Sequence, residues 1–227
     1  MPKKVFFIVG PTASGKTAFS LQLAGLLNGE VVNADSMQIY RKMDIGTGKP
    51  SKEEQSVVAH HLFDIRDPSE LFSAAEYKEL ALEKINEVWS RGKTPIIVGG
   101  TGLYINALVN NLDFASDGNL WSKQNKLFEP FIIGLNYKDR SKLYEMINLR
   151  TDLMMKAGLL KEVQNVLSAR VGITASQAIG YKEFAGFFAG EMSLCDAVAL
   201  VKKNSRNYAK RQITWFRKLP NVHWICR

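Results

Sequence analysis

Val5-Phe6-Phe7-Ile8-Val9-Gly10-Pro11-Thr12-Ala13-Ser14-Gly15-Lys16-Thr17 decides the fold. The apolar run Val5–Val9 reads as a buried strand, the next eight residues match G-x-x-x-x-G-K-[ST], and a helical pattern follows over residues 17–28. Strand, glycine-rich loop and helix in that order make a phosphate-binding P-loop. The expected phosphate cradle is Gly10, Pro11, Thr12, Ala13, Ser14, Gly15, Lys16 and Thr17. Its glycines permit a tight turn and close backbone approach. The loop N–H groups and the dipole of the following helix attract the anion. Lys16 adds a point charge, and the Thr17 hydroxyl is the expected ligand for Mg²⁺. The loop recognises a di- or triphosphate without saying what becomes of it.

Outward from this stretch, Glu30–Ala34 reads as a second strand that delivers Asp35 to its C-terminal end, where open α/β sheets bind ligands. Residues 36–60 read as a loop, and 61–66 as a short strand. An amphipathic helix is predicted over 74–91, with Tyr77, Leu80, Ala81, Ile85, Val88 and Trp89 at helical spacing. Thr94–Val98 is a further buried strand that runs into Gly99-Gly100-Thr101-Gly102. The stretch 113–126 is polar and weakly periodic, a linker or excursion, and Phe131–Leu135 is another strand. Helices are predicted over 139–157, 159–169, 174–189 and 193–215, and in the helix over 17–28 Phe19, Leu23 and Leu26/Leu27 share one face. The alternation predicts an α/β fold: a P-loop NTPase-like parallel sheet flanked by helices, with a helical C-terminal portion, in a single domain over 1–227.

Composition narrows the class. No run of 18 apolar residues exists, so no membrane span is expected. The chain enters a strand almost at once, which leaves no room for a signal peptide. With only Cys195 and Cys226, a reduced cytoplasmic protein is the simplest reading, and a monomer the simplest assembly. The net charge of +8 is unevenly placed: Lys202, Lys203, Arg206, Lys210, Arg211, Arg217, Lys218 and Arg227 face no acidic residue between 202 and 227, so the rest of the chain is neutral. A neutral body with one basic end suits a polyanion larger than a nucleotide; a solvated helix face is the plainer alternative.

Asp35 is the best candidate general base, to be placed across the cleft from the phosphates; a helix N-cap, or outer-sphere contact with magnesium, is the alternative. Gly99–Gly102 offers close backbone approach and a hydroxyl, for a leaving-group oxygen or an acceptor amine; a plain strand-to-helix turn is the alternative. His60-His61 lack a third ligand at metal spacing, so packing or hydrogen bonding is expected there. Trp215-Phe216 and Trp224 lie among basic residues and read either as stacking platforms or as core aromatics. Lys203, Arg206/Asn207 and Lys210 form one helical stripe suited to backbone phosphates.

With these residues in place the chain resembles the tRNA dimethylallyltransferases. The resemblance rests on Gly10–Thr17, Asp35–Arg41, Met43–Pro50, His60–Ile65 and Gly99–Tyr104. It continues through Asp139-Arg140, Leu143-Tyr144, Arg150, Gly158-Leu159, Ala178–Glu183 and Tyr208–Arg217. The family transfers a dimethylallyl group from dimethylallyl diphosphate to N6 of adenosine 37 in tRNA. The resemblance implies that the P-loop holds a prenyl diphosphate, that Asp35 accepts the N6 proton, and that Thr101 holds the bridging oxygen or the amine. Lys16, a Mg²⁺ on Thr17, and Arg140 or Arg150 would stabilise the departing pyrophosphate. Ser36, Met37 and Gln38 would contact the flipped-out adenosine. The basic helix, with Lys203, Lys210 and Arg211, would grip the anticodon stem.

One departure is large. Family members carry a helical insertion before the strand equivalent to Phe131–Leu135, including an arginine-rich segment that clamps tRNA; here only about 25 residues separate the flanking motifs. The truncated or missing position falls at 113–130. Other readings are a prenyltransferase acting on free adenine nucleotides (an adenylate isopentenyltransferase), a P-loop kinase of a small metabolite, and a non-catalytic RNA-binding remnant.

Overall fold

Val5, Phe7, Ile8 and Val9 are fully buried, because strand β1 (Lys4–Val9) lies inside a six-stranded sheet with helices on both faces. The computed structural model describes residues 3–114, 122–123, 125–169 and 171–227. The other strands are β2 (Gly29–Asn33), β3 (His60–His61), β4 (Thr94–Val98), β5 (Leu112–Asp113), β6 (Ser122–Lys123), β7 (Glu129–Asn136) and β8 (Val222–Cys226). The large sheet runs β3-β2-β4-β1-β7-β8 with every pair parallel. β5 and β6 form a separate antiparallel pair. This order sets the C-terminal ends of β1, β2 and β4 side by side.

The helices are α1 (Lys16–Leu27), α2 (Lys52–Val57), α3 (Ala74–Ser90), α4 (Gly102–Val109), α5 (Arg140–Lys156), α6 (Leu159–Leu167), α7 (Ile173–Ser176), α8 (Ala185–Phe188) and α9 (Leu194–Phe216). Local chemistry explains their ends. Asn28 adopts φ 47° and closes α1, and Ser73 with Glu76 forms a capping box on α3. Under α1, Ala24 packs on Ile8, Ile96, Ile133 and Leu135; the opposite face buries a larger core including Tyr77, Tyr104, Phe184 and Phe216. None of the described helices is long and apolar enough to cross a membrane.

Several expectations change. Leu26 is 82% exposed, so the buried face of α1 runs through Ser20 and Ala24 instead of through Leu26. The region 36–60 contains α2, opened by a Ser51–Glu54 capping box; it buries no residue, so it left no apolar pattern to read. The strand expected over 61–66 is confined to His60–His61, because Leu62 and Asp64 take positive φ (63° and 55°) and turn the chain away. The helix over 174–189 is broken at Gly180 (φ 94°) into α7, a 3₁₀ turn over Lys182–Phe184, and α8. β8 was not foreseen; it extends the sheet beyond β7 and packs the Trp224 ring against Gly134, which has no room for a Cβ. Most of the linker expected over 113–126 lies outside the described residues.

Candidate active site

The P-loop follows β1 and closes over the N-terminus of α1. Gly10, at φ 150°, sits against β7 so closely that a Cβ would stand 2.4 Å from the Leu135 carbonyl oxygen. Lys16 Nζ donates to the Gly10 and Pro11 carbonyls at 3.0 and 2.9 Å. Loss of solvent lowers its pKa to about 8; Asp35 pulls it upward and Arg150 pushes it down. Ser14 Oγ is buried without a hydrogen-bond partner among the described residues, 2.9 Å from where a Cβ of Gly10 would stand.

Asp35 leaves the end of β2, two strands from β1 with β4 between them. Its N–H donates to Asn33 Oδ1 at 2.9 Å, and its own Oδ1 accepts the Met37 N–H at 3.0 Å. The side chain therefore caps a turn with one oxygen. Oδ2 lies on the side of Gly100, 3.3 Å from where a Cβ of that residue would stand. Thr101 follows β4, and its Oγ1 accepts the Ser36 N–H at 2.9 Å and donates to Ser36 Oγ at 3.1 Å. It fixes the segment that begins with Asp35.

These groups meet at a cleft of ≈ 670 Å³. Thr12 to Thr17, Asp35, Ser36, Met37, Gln38, Arg150 and Arg211 all line it, as do Gly46–Lys49, Tyr208 and Gln212. Gly10 and Pro11 form the base of the loop behind the wall. Of the two candidate arginines, Arg150 reaches the site: Nη1 donates to Thr12 Oγ1 and Nη2 to the Thr47 carbonyl at 3.2 Å. Desolvation lowers its pKa, with Asp35 acting in the opposite direction. Arg140 lies ten residues earlier, about 15 Å along α5. It is exposed at the helix start, over the Tyr144 ring at 5.5 Å. Arg206 and Lys210 reach the same ring at 5.9 Å each. Lys203 is on the exposed face of α9, and Arg211 covers the Tyr208 ring at 5.6 Å beside the cleft. The paired histidines make hydrogen bonds: His61 Nε2 to Glu30 at 2.7 Å and His60 Nδ1 to the Val58 carbonyl at 2.6 Å. Phe216 is core, whereas Trp215 is 37% exposed.

Reading the sequence missed residues that hold the site together. Gln212 and Tyr208 of α9 both donate to the Gly100 carbonyl, at 2.9 and 3.3 Å. Burial, then Asp35, raises the Tyr208 pKa well above the ordinary phenol value, so its hydroxyl stays protonated. Glu162 and Tyr181 brace the 44–46 loop from behind. Their spacing along the chain gives no local signal of these contacts.

The family model described as IPP transferase matches residues 38–127 and 115–219. This chain belongs to the IPP transferase family. Among similar proteins, the tRNA dimethylallyltransferase of Acetivibrio thermocellus is 39% identical over 285 aligned residues, which span 97% of this chain and 91% of that protein. The tRNA dimethylallyltransferase of Bacillus subtilis is 40% identical over 97% of this chain and 90% of its own. Among solved structures, a full-length tRNA isopentenylpyrophosphate transferase from Bacillus halodurans superposes with a TM-score of 0.89 at 37% identity, covering all of this chain and 90% of that one. A eukaryotic dimethylallyltransferase described as acting on tRNA gives 0.86 at 25% identity, covering 99% of this chain and 74% of that one. Since 97% of 227 residues is about 220, the 285-residue alignment leaves about 65 positions of the Acetivibrio protein facing gaps in this IPP transferase family chain. The two family matches meet at 115–127.

Proposed function

We propose that this chain transfers a dimethylallyl group from dimethylallyl diphosphate to N6 of adenosine 37 in tRNA, releasing pyrophosphate, and that it works in the cytoplasm. The observation that carries this reading is that Asp35 lies in the same cleft as Lys16 and Arg150. The family to which the chain belongs supports tRNA over a free nucleotide as acceptor.

The chemistry follows from these positions. The P-loop binds the diphosphate through its N–H groups, leaving C1 of the prenyl group toward Asp35. The adenosine amine enters past Ser36, Met37 and Gln38. As N6 bonds to C1, the C1–O bond breaks and its electron pair leaves with pyrophosphate; the N6 proton passes to the Asp35 carboxylate. Lys16 and Arg150 neutralise charge as it grows on the leaving group. Thr101 acts by holding Ser36, and so the Asp35 segment, in register.

Thr17 fits a magnesium ion: it stands in the cleft wall at the first turn of α1 and offers a hard hydroxyl oxygen beside the cradle. When bound, the ion supplies further charge stabilisation to the pyrophosphate. The stretch 113–130 stands, on this reading, where relatives carry their longer segment.

The test offers the protein labelled dimethylallyl diphosphate with an unmodified anticodon stem-loop or with AMP. Label at N6 of the RNA adenosine is expected, and label only in AMP overturns the reading. Asp35→Asn should lower transfer by roughly 10²–10⁴-fold while inorganic pyrophosphate still binds. Near-normal turnover in that variant removes Asp35 from the mechanism.

A further inference from the structure

Glu162 does not line the cleft, yet its carboxylate holds one wall of it. From the first turn of α6, Oε2 accepts the N–H groups of Asp44 and Ile45 at 2.9 and 2.8 Å. Oε1 accepts the Gly46 N–H at 2.9 Å and the Tyr181 hydroxyl at 2.6 Å. Three successive amides converging on one carboxylate form an anion nest, and here the occupant is the chain's own side chain. Gly46 is confined as well: a Cβ would stand 2.5 Å from the buried Tyr181 ring. Burial, then Glu162, drives the Tyr181 pKa far up, which keeps its hydroxyl a donor.

The groups that face the substrates come directly after this nest. The Thr47 and Gly48 carbonyls each accept Gln38 Nε2 at 3.1 Å. The Thr47 carbonyl also accepts Arg150 Nη2, and Arg150 continues to Thr12 in the P-loop. Gly48, at φ 61°, leaves no space for a side chain: a Cβ would lie 2.0 Å from Arg150 Nη2.

We propose that Glu162 is a positioning residue for the transfer reaction: by fixing the 44–46 amides it sets where Thr47 and Gly48 hold Gln38 on the adenosine side and Arg150 on the diphosphate side. The identity of the two substrates rests on the reading above; the positioning role does not. Glu162 acts through the loop, so its loss loosens both subsites together.

Glu162→Gln keeps the shape but turns one acceptor into an NH₂ group facing backbone donors. The expected result is a KM increase of about tenfold for both the prenyl diphosphate and the tRNA, together with a lower kcat, because Arg150 also serves the leaving group. The Kd of inorganic pyrophosphate, measured by calorimetry, rises by a similar factor. A residue that merely stabilised the fold would lower the active fraction and hence kcat, leaving both KM values and the pyrophosphate Kd as in the wild type; that result overturns the proposal. Gly46→Ala displaces the same loop without altering Glu162 and should reproduce the pyrophosphate effect. If Glu162→Gln fails to fold, an unchanged Kd in Gly46→Ala overturns the proposal alone. A wild-type protein that binds pyrophosphate but transfers no prenyl group ends the functional reading, and the two variants' Kd values still decide the role of Glu162.

Discussion

Gln212 Oε1 accepts the Thr12 N–H at 2.8 Å across 200 positions of sequence. The same amide donates Nε2 to the Gly100 carbonyl at 2.9 Å, and the side chain is only 4% exposed. One buried amide thus ties the loop after β1 to the turn after β4. Gln212→Leu removes both bonds and strands the Thr12 donor. The expected cost is about 1–3 kcal/mol, a fall of roughly 2–12 °C in Tm for a chain of this size, together with weaker pyrophosphate binding. Thermal melts with and without pyrophosphate measure both.

Lys16 gives opposite pH trends for folding and for binding. Desolvation brings its pKa to about 8, against 10.5 for an ordinary lysine. Between those values the unfolded chain holds more protons, so the contribution of this group to stability rises with pH through that window. A diphosphate needs the charged ammonium. Wild-type affinity for inorganic pyrophosphate should therefore weaken above about pH 8 relative to that of Lys16→Arg, both proteins sharing the ligand's own ionisation. Lys16→Arg keeps its charge and should flatten that decline relative to wild type. A ratio of the two Kd values unchanged to about pH 9.5 refutes the assignment.

Gly48→Ala should weaken diphosphate binding without unfolding the protein. Its φ of 61° costs a side chain about 1–2 kcal/mol, and the new Cβ drives Arg150 away from Thr12. Gly92→Ala is the control: it has φ 69° but open space around it, so it should lose stability alone. The measurement is the pyrophosphate Kd of each variant, with about a tenfold rise expected only for Gly48→Ala.

The basic face of α9 should appear in salt titrations of tRNA binding. Lys203→Ala and Lys210→Ala should each reduce the slope of log K against log salt by about 0.7–0.9, if each contacts one phosphate. Arg211→Ala should do the same and also slow transfer, because Arg211 lines the cleft. Slopes equal to wild type in all three would remove α9 from the RNA-binding surface.

The elements that carry the chemistry were legible because each couples a short strand pattern to a marked strand end: Val5–Val9 into the P-loop, Glu30–Ala34 into Asp35, Thr94–Val98 into Gly99. The elements that were not legible lack such a signature. α2 has no buried residue, and Leu62 and Asp64 take left-handed conformations that their identities do not announce. β8 is an edge strand whose residues are only partly buried or exposed. Arg140 and Arg150 were equal in sequence; the strand that feeds α5 decides which end of the helix meets Thr12. Gln212, Tyr208 and Glu162 act on segments more than 100 residues away, where no periodicity reaches.

α9 presents Lys203 and Lys210 to solvent on one side and Gln212 to Thr12 on the other. A polyanion that shifts this helix as it binds must also change the affinity of the P-loop for its diphosphate. Thermodynamic reciprocity then requires the diphosphate to change the affinity for that polyanion by the same factor. A helix coupled to both sites thus lets a polyanion and a diphosphate each tighten or loosen the binding of the other, whichever arrives first.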